Sequence, residues 1–453
     1  MTLTYEQALT TILNFDDPYQ RALRDHGKQT WGLSGILQLL EKLGNPHLSY
    51  PTIHIAGTKG KGSTAAFVAQ GLMEAGLKTG LYISPHLQDW RERIQINREM
   101  IPREALAAIV EDILPYVEGT GLTSFEVTTA LAFWHFAREE CDVAVIEVGL
   151  GGRLDATNVV KPVVSAITNI SLDHTQLLGN TLIDIAYEKA EIIKAGRPVV
   201  SAPQAEPVER VLRKVAANKK SALHMVGKDW WFQPVEMDWD GSMAFMGSGD
   251  YKVPVEIGMP GGFQIENAAV ALEVLNVAAQ EGLPISRQAR ISAMANTRWP
   301  GRLELVQQNP HVIIDSAHNP HSVEQVVHAL EELSTGEQAG GRRVFVFGCM
   351  ADKDVDGMLE ILLRHGQRIV LTSADTPRAA SAEDLLARAE ALHEQMRASS
   401  DEDRAGVELL AASTIDEAVR LGLDGLEPHD VLCITGSLAV AGEARDELVG
   451  KPE

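Results

Sequence analysis

The chain has 453 residues, more than one hydrophobic core usually organises, so two domains are expected. Its formal charge of −22 excludes a general nucleic-acid surface, which needs clustered Lys and Arg, and leaves any anionic ligand to a local positive site. The longest apolar runs fall short of the roughly 18 residues of a membrane span, and the first residues lack a basic segment followed by an apolar one, so a cytoplasmic protein without membrane contact is expected.

In chain order, PTIHIAG from Pro51, TGLYIS from Thr79, DVAVIEVG from Asp142 and VVSAITNI from Val163 have strand character. They alternate with helix-length segments such as STAAFVAQGLMEAG and FEVTTALAFWHFAREE, the rhythm of βαβ units in a doubly wound parallel sheet. After Pro198 the pattern changes, and the aromatic, Gly-rich stretch from Trp230 predicts a small antiparallel appendage. A helix over IENAAVALEVLNVAAQEG then leads to TRWPGR, where Pro300 and Gly301 mark a boundary. Beyond it HVIIDSA, RRVFVFG, QRIVLTS and DVLCITG predict a second, smaller, mostly parallel sheet. The expected domains are therefore 1–298, a P-loop-like α/β ATPase domain with a β-rich appendage, and 299–453, a smaller Rossmann-like α/β domain. Cys141, Cys349 and Cys433 lie far apart and form no metal or redox spacing, which fits buried thiols in a reducing compartment.

The chemistry concentrates at strand ends. Gly57-Thr58-Lys59-Gly60-Lys61-Gly62-Ser63 departs from the usual P-loop spacing. It still runs from a strand through a glycine turn to a helix start, where backbone N–H groups and the helix dipole can hold phosphate and Lys61 can add charge. Bland alternatives stand beside this one: a Gly-rich turn carrying surface lysines. Ser84, Glu147 and His174 follow three further strands, and in open α/β sheets ligands collect outside the carboxyl ends of strands. A hydroxyl, a carboxylate and an imidazole could ligate a divalent ion, although magnesium prefers oxygen. Ser84-Pro85 could equally be a turn, His174 a helix cap and Glu147 the partner of Arg153. Glu147 is the hardest to dismiss, because an unpaired carboxylate inside an apolar strand is costly to bury.

Taken together, HIAGTKGKGS, SPHLQDWRERIQIN, SFEVTTALAF, DVAVIEVGLGGRLDATNV, ITNISLDHTQLLGNTLIDIAYEKAEIIK, WPGRLE, DSAHNPHS and ITGSLAVAGE resemble, in order, the motifs of folylpolyglutamate synthases, including the bifunctional dihydrofolate synthases, within the Mur ligase superfamily. The resemblance spans roughly Gly32 to Glu443. Ser316 and Glu191 stand where glycine is common in the family, Cys349-Met350-Ala351 replaces an Ala-Leu-Lys-like stretch, and Ala439-Val440 replaces a more aromatic pair.

The resemblance implies a reaction in which ATP phosphorylates the γ-carboxylate of a reduced folate and L-glutamate attacks the acyl phosphate, with dihydropteroate as a further acceptor if the chain is bifunctional. It implies that Gly57 to Ser63 bind the phosphates. Ser84 and Glu147 would hold one Mg2+, and Glu147, His174 and Lys189 a second, with Lys189 carbamylated so that it binds metal as an anion. It implies that Asn267, Arg302 and Asp315 contact ATP from beyond the first sheet and that His318 lies near the glutamate site. It also implies that Thr123, Ser124 and Phe125, Leu154, Asp155 and Ala156, and the stretch DHGKQTWGLSGILQLL line the folate site. Without the resemblance, Glu188-Lys189 would pass for a solvated pair, Asn267 and Asp315 for helix caps, Arg302 for a surface hinge residue and Phe125 for core. No partner protein is implied, and a monomer is expected. Two other functions remain open at this point: a Mur-type ligase acting on a UDP-linked cell-wall precursor, and a nucleotide switch without ligase chemistry.

Overall fold

The computed structural model describes residues 3–17, 32–334, 340–399 and 406–452. The first eight strands are β1 (Thr52–Ala56), β2 (Thr79–Tyr82), β3 (Ile94–Ile96), β4 (Glu99–Met100), β5 (Val143–Glu147), β6 (Val164–Ile167), β7 (Val199–Ser201) and β8 (Leu223–Met225). They form one sheet in the order β4-β3-β2-β5-β1-β6-β7-β8. From β2 to β8 all neighbours are parallel, while β3 and β4 form an antiparallel edge. The central strands β1 and β5 are buried along their whole length, which explains their near-continuous apolar sequences.

Helices cover both faces. Lys61–Glu74 and Gly262–Gln280 pack on one side, around Phe67, Leu72 and Leu275, and Ser34–Lys42, Arg103–Val117 and Ser124–Arg138 on the other, around Leu40, Ile113 and Phe133. The parallel sheet does not end where the sequence rhythm changes: β7 and β8 continue it beyond Pro198 as three-residue strands too short to show a period.

The antiparallel excursion comprises β9 (Trp231–Asp238), β10 (Gly241–Ser248) and β11 (Tyr251–Ile257) in the order β11-β10-β9. Its inner face, Ala244, Met246, Val253 and Val255, joins the same core as helix Gly262–Gln280, so it is a cover rather than a separate unit.

The remaining strands are β12 (Glu304–Gln307), β13 (His311–Ile314), β14 (Arg343–Phe347), β15 (Arg368–Leu371), β16 (Glu408–Ala411) and β17 (Val431–Thr435). Their sheet runs β12-β13-β17-β14-β15-β16, parallel except at β12. The four expected strands occupy its middle, and β12 and β16 close its edges. All three cysteines are free and buried. Among the described residues no helix is long and apolar enough to cross a membrane.

Candidate active site

The exit of β1 is built for close backbone approach. Gly57 has φ 152°, and a Cβ there would strike the Thr168 hydroxyl; Gly60 has φ 86°, and a Cβ there would strike Asn267 Oδ1. Gly60 caps helix Lys61–Glu74, whose first amides therefore open onto the turn. The turn is pinned to the exit of β6. Thr58 Oγ1 donates to Ser171 O and accepts from Ser171 N, both at 3.1 Å, Thr58 N donates to Asn169 O at 2.8 Å, and Thr168 Oγ1 donates to Lys59 O at 2.7 Å. Lys59 Nζ pairs with Asp173 Oδ2 at 3.1 Å, and Lys61 Nζ folds back on Thr58 O at 3.3 Å. Ser63 is buried in the first helical turn.

Glu147 is the last residue of β5, 5% exposed, and accepts from Ser84 N at 3.1 Å. Burial raises its pKa against the charges of Lys61 and Arg302. Arg153 pairs instead with Glu188, at 2.8 Å. His174 stands at the head of the short helix Thr175–Leu178 with φ 49° and makes no side-chain cap; its Nε2 lies 3.8 Å from Asp173 Oδ1. Burial lowers the His174 pKa although Asp173 opposes the shift. Asp173 is brought down to about 2, its own burial being outweighed by Lys59, then His174.

Lys189 is buried, not solvated: its Nζ donates to Gly57 O at 2.8 Å, and burial followed by the charge of Lys61 lowers its pKa to about 7. Lys194, five residues on, is engaged with Asn158 at 2.7 and 2.8 Å. Among the described residues no three His, Cys, Asp or Glu side chains gather into a metal-binding group. The set brought to the sheet crest is one buried carboxylate, one hydroxyl residue, one imidazole and one buried amine.

Beside this crest lies a cavity of about 340 Å³ whose lining includes Ser84, Phe125, Leu154, Asp155, Ala156 and His174. Phe125 forms one wall, tilted against Tyr82 with ring centroids 6.1 Å apart. Thr123 lines it too, but its hydroxyl caps helix Ser124–Arg138 through reciprocal bonds with Glu126. Asp155 shapes the lining loop: it accepts from Leu150 N and Thr157 N, both at 2.9 Å, and from the Thr157 hydroxyl. Ser124 is not among the lining residues. Of DHGKQTWGLSGILQLL, Gly32 and Leu33 line the cavity, whereas residues 25–31 lie outside the described residues.

The remaining groups come from two places: Asn267, against expectation, belongs to the first sheet's own helical layer, and only Asp315, Arg302 and His318 belong to the second sheet's side. Asn267 sits inside helix Gly262–Gln280, not at its cap, and donates to Gln264 Oε1 at 2.9 Å while its Oδ1 faces Gly60. Asp315, at the exit of β13, accepts from Leu303 N at 2.8 Å and Ala317 N at 2.7 Å, and Asn319 rather than Asp315 caps the following helix. Burial raises the Asp315 pKa against the charge of Arg302. His318 Nδ1 donates to Ser316 O at 3.0 Å, and burial, then Lys59, lowers its pKa to about 4, so it is neutral at pH 7.

The departures at Ser316 and Glu191 do not disturb the backbone. Ser316 bonds Gly301 O through both N and Oγ at 3.1 Å, and Glu191 has φ −71° and pairs with Lys219. Sequence reasoning missed Lys353, whose charge acts on both His174 and His318, and Arg93, which lines the cavity and donates to His86 Nδ1 at 3.0 Å. Lys353 lies in an irregular ADKD stretch that carries no local signal.

Residues 55–275 match the Mur ligase middle domain, and residues 301–438 the Mur ligase, glutamate ligase domain. A folylpolyglutamate synthase from Lacticaseibacillus casei is 36% identical over 440 residues, covering 92% of this chain and 94% of that protein. The chain belongs to the folylpolyglutamate synthase/dihydrofolate synthase family. Within the family, a probable bifunctional folylpolyglutamate synthase/dihydropteroate synthase from Haloferax volcanii is 35% identical over 91% of this chain, and the chain spans about half (48%) of its length. An Escherichia coli FolC structure in complex with DHPP and ADP superposes with TM-score 0.82 at 28% identity, covering 98% of this chain and 97% of that one. The middle-domain match ends at residue 275, and the glutamate-ligase-domain match begins at Gly301, within TRWPGR.

Proposed function

We propose that the chain is an ATP-dependent ligase that adds L-glutamate to the γ-carboxylate of a reduced folate, tetrahydrofolate, and by the same chemistry to the benzoate carboxylate of dihydropteroate. The observation that carries this is the juxtaposition of a preformed phosphate turn, Gly57 to Ser63, with a cavity of about 340 Å³ walled by Phe125 and reached by Ser84 and His174. A planar acceptor in that cavity places its carboxylate beside the γ-phosphate. Residues 1–298 then bind nucleotide and folate, and residues 299–453 complete the ATP site and hold glutamate. The protein is read as a cytoplasmic monomer.

A carboxylate is a poor electrophile until one of its oxygens becomes a leaving group. The folate carboxylate attacks the γ-phosphorus, ADP departs, the glutamate amine attacks the acyl carbon, and phosphate leaves as the amide forms. The chain's task is positioning and charge neutralisation. The turn amides with Lys59 and Lys61 hold phosphate oxygens, Asn267 supports the turn from the neighbouring helix, and Arg302 and Asp315 orient the nucleotide from the other side. His318, with Nδ1–H committed to Ser316 O, presents a lone pair at Nε2 that can accept a hydrogen bond from the glutamate ammonium.

Magnesium fits this donor set. Glu147 is a buried carboxylate with Ser84 beside it, and magnesium beside phosphates needs only one or two carboxylates and keeps its waters. Ser84 and Glu147 would hold one ion, and Glu147, His174 and Lys189 a second. Bound there, magnesium neutralises phosphate charge. Lys189 as an amine is a poor partner for a cation, but burial, then the charge of Lys61, lowers its pKa to about 7 and so favours the neutral amine, the form that reacts with CO2 to give a carbamate.

The test is ADP release from MgATP and L-glutamate with no acceptor, tetrahydrofolate, dihydropteroate or a UDP-linked muramoyl acceptor, the amide product being identified by mass. Turnover requiring tetrahydrofolate is expected. Turnover only with the UDP acceptor, or ATP hydrolysis indifferent to every acceptor, overturns the proposal.

A further inference from the structure

Between β2 and β3 the chain makes a loop that begins at Ser84 and is tied by one carboxylate. Glu92 accepts from the backbone N–H groups of Leu87 at 2.7 Å and of Gln88 and Asp89 at 2.8 Å each. One end of the loop is anchored by Ser84 N on Glu147. Its tip projects onto the C-terminal helix Leu438–Leu448 so closely that a Cβ at Gly442 would strike Leu87 O.

The Gln88 side chain spans this contact with both ends of its amide. Its Nε2 donates to Asp446 Oδ1 at 2.6 Å and to Gly450 O at 3.2 Å, and its Oε1 accepts from Arg445 Nη1. Arg445 turns its Nε to Glu304 at 3.0 and 3.1 Å, a pair whose side chains are 18% and 20% exposed. Glu304 Oε2 in turn accepts from Gly301 N at 2.8 Å, beside Arg302. Leu87 reaches the same hinge from the other side, since a Cβ at Gly301 would lie 2.9 Å from Leu87 Cδ2.

A continuous polar path therefore runs from Glu147 through the Ser84 loop, Gln88, Arg445 and Glu304 to the backbone that carries Arg302. Its two ends are the groups assigned above to opposite sides of the nucleotide. None of its middle members reaches the cavity or the phosphate turn. The guanidinium of Arg445 suits the role because its planar fork bonds two acceptors at once.

The geometry points to Gln88 and Arg445 as positioning residues: their hydrogen bonds between the two domains hold the Ser84 loop and the Arg302 hinge in register across one nucleotide site, without either side chain touching a reactant. This rests on the ligase proposal and adds to it a requirement at a distance. Misplacing a reacting group by about an ångström costs up to about a hundredfold in rate, so a loosened register is visible in turnover.

The experiment compares Gln88→Ala, Arg445→Ala, the double variant and Arg445→Lys with the wild type, measuring kcat, KM for MgATP and for folate, and the melting temperature. Wild-type turnover with glutamate and folate is the control for the ligase proposal; its absence counts against that proposal and not against the register. Expected is a loss of kcat of roughly tenfold or more in each alanine variant, with folate KM within about twofold and melting unchanged within a few degrees. The double variant should be no worse than the poorer single one, because both act through one contact. Arg445→Lys should recover only part, keeping the charge near Glu304 but not the fork. Wild-type kcat and MgATP KM in both alanine variants, losses that multiply in the double variant, or kcat losses that only track lowered melting would overturn it.

Discussion

Replacing Gly60 by alanine perturbs the phosphate turn at its tightest point. The residue sits at φ 86°, ψ −4°, a conformation that costs an L-residue about 1–2 kcal/mol. The new methyl would also meet Asn267 Oδ1, and Asn267 is not free to swing aside, being 9% exposed and bonded to Gln264. Breaking that bond adds about 1 kcal/mol, for a total of about 2–3 kcal/mol. The strain can surface in two places. If the turn keeps its shape, folding stability falls and melting drops by several degrees. If the turn relaxes, the amides lose their aim and ADP binding weakens by up to about a hundredfold, since each 1.4 kcal/mol is a factor of about ten. Thermal melting and calorimetric titration with ADP, run on the same preparations, measure both. In an Asn267→Ala background the Gln264 bond is already lost and the collision is gone, so adding Gly60→Ala there should cost only the backbone strain, about 1–2 kcal/mol. Gly60→Ala with unchanged melting and unchanged ADP affinity would refute the reasoning.

Glu147→Gln should lower kcat by roughly a hundredfold or more, because a charge at the phosphates is lost, while melting of the ligand-free protein holds or rises, since the amide escapes the burial penalty; full activity would remove Glu147 from the site. Phe125→Ala should raise folate KM about tenfold with kcat and MgATP KM little changed, and an MgATP effect of equal size would mean that the ring supports the sheet crest rather than the acceptor. Carbamylation at Lys189 predicts that activity falls in CO2-depleted buffer and returns with bicarbonate; activity indifferent to bicarbonate argues for a plain amine.

His54 offers a pH test away from the chemistry: it is fully buried, bonded to Thr157 Oγ1 at 2.9 Å, and burial drops its pKa from 6.5 to about 3. Below pH 6.5 the unfolded chain binds a proton that the folded one refuses, so this histidine makes stability fall by about 1.4 kcal/mol per pH unit between pH 6.5 and about 3, and leaves it flat above. His54→Asn should flatten that part of the melting-versus-pH curve, and an unchanged slope would contradict the assignment.

Much of the site is legible in the sequence because its signals are local. A β-branched run into GTKGKGS and then an alanine-rich helix needs no tertiary information, and the structure places strand, turn and helix there. The edge strands β3, β4 and β16 escape notice because two to four residues cannot show an alternation, and their pairing is supplied by the neighbouring strand. Relations across the chain are the other loss. Lys59 meets Asp173 across 114 residues, and Gln88 meets Asp446 across 358, distances over which no spacing rule operates. Burial matters as much: Lys189 has the local sequence of a surface helix, and only the position of its helix under the Gly57 carbonyl makes it an inward-facing amine. Asp155 and Thr123 line the expected cavity, yet much of their bonding goes to shaping the loop and capping the helix that form its walls.

The pinning of the Gly57–Ser63 turn to the exit of β6 has a kinetic consequence. Thr58, Lys59 and Gly57 are tied by Ser171, Asn169, Thr168 and Lys189, so on the ligase proposal the turn is ordered before any nucleotide arrives. Ordering entropy is surrendered once, when the chain folds, instead of at every turnover. Each incoming nucleotide would then meet a turn that is already open, with no loop to order before it is seated.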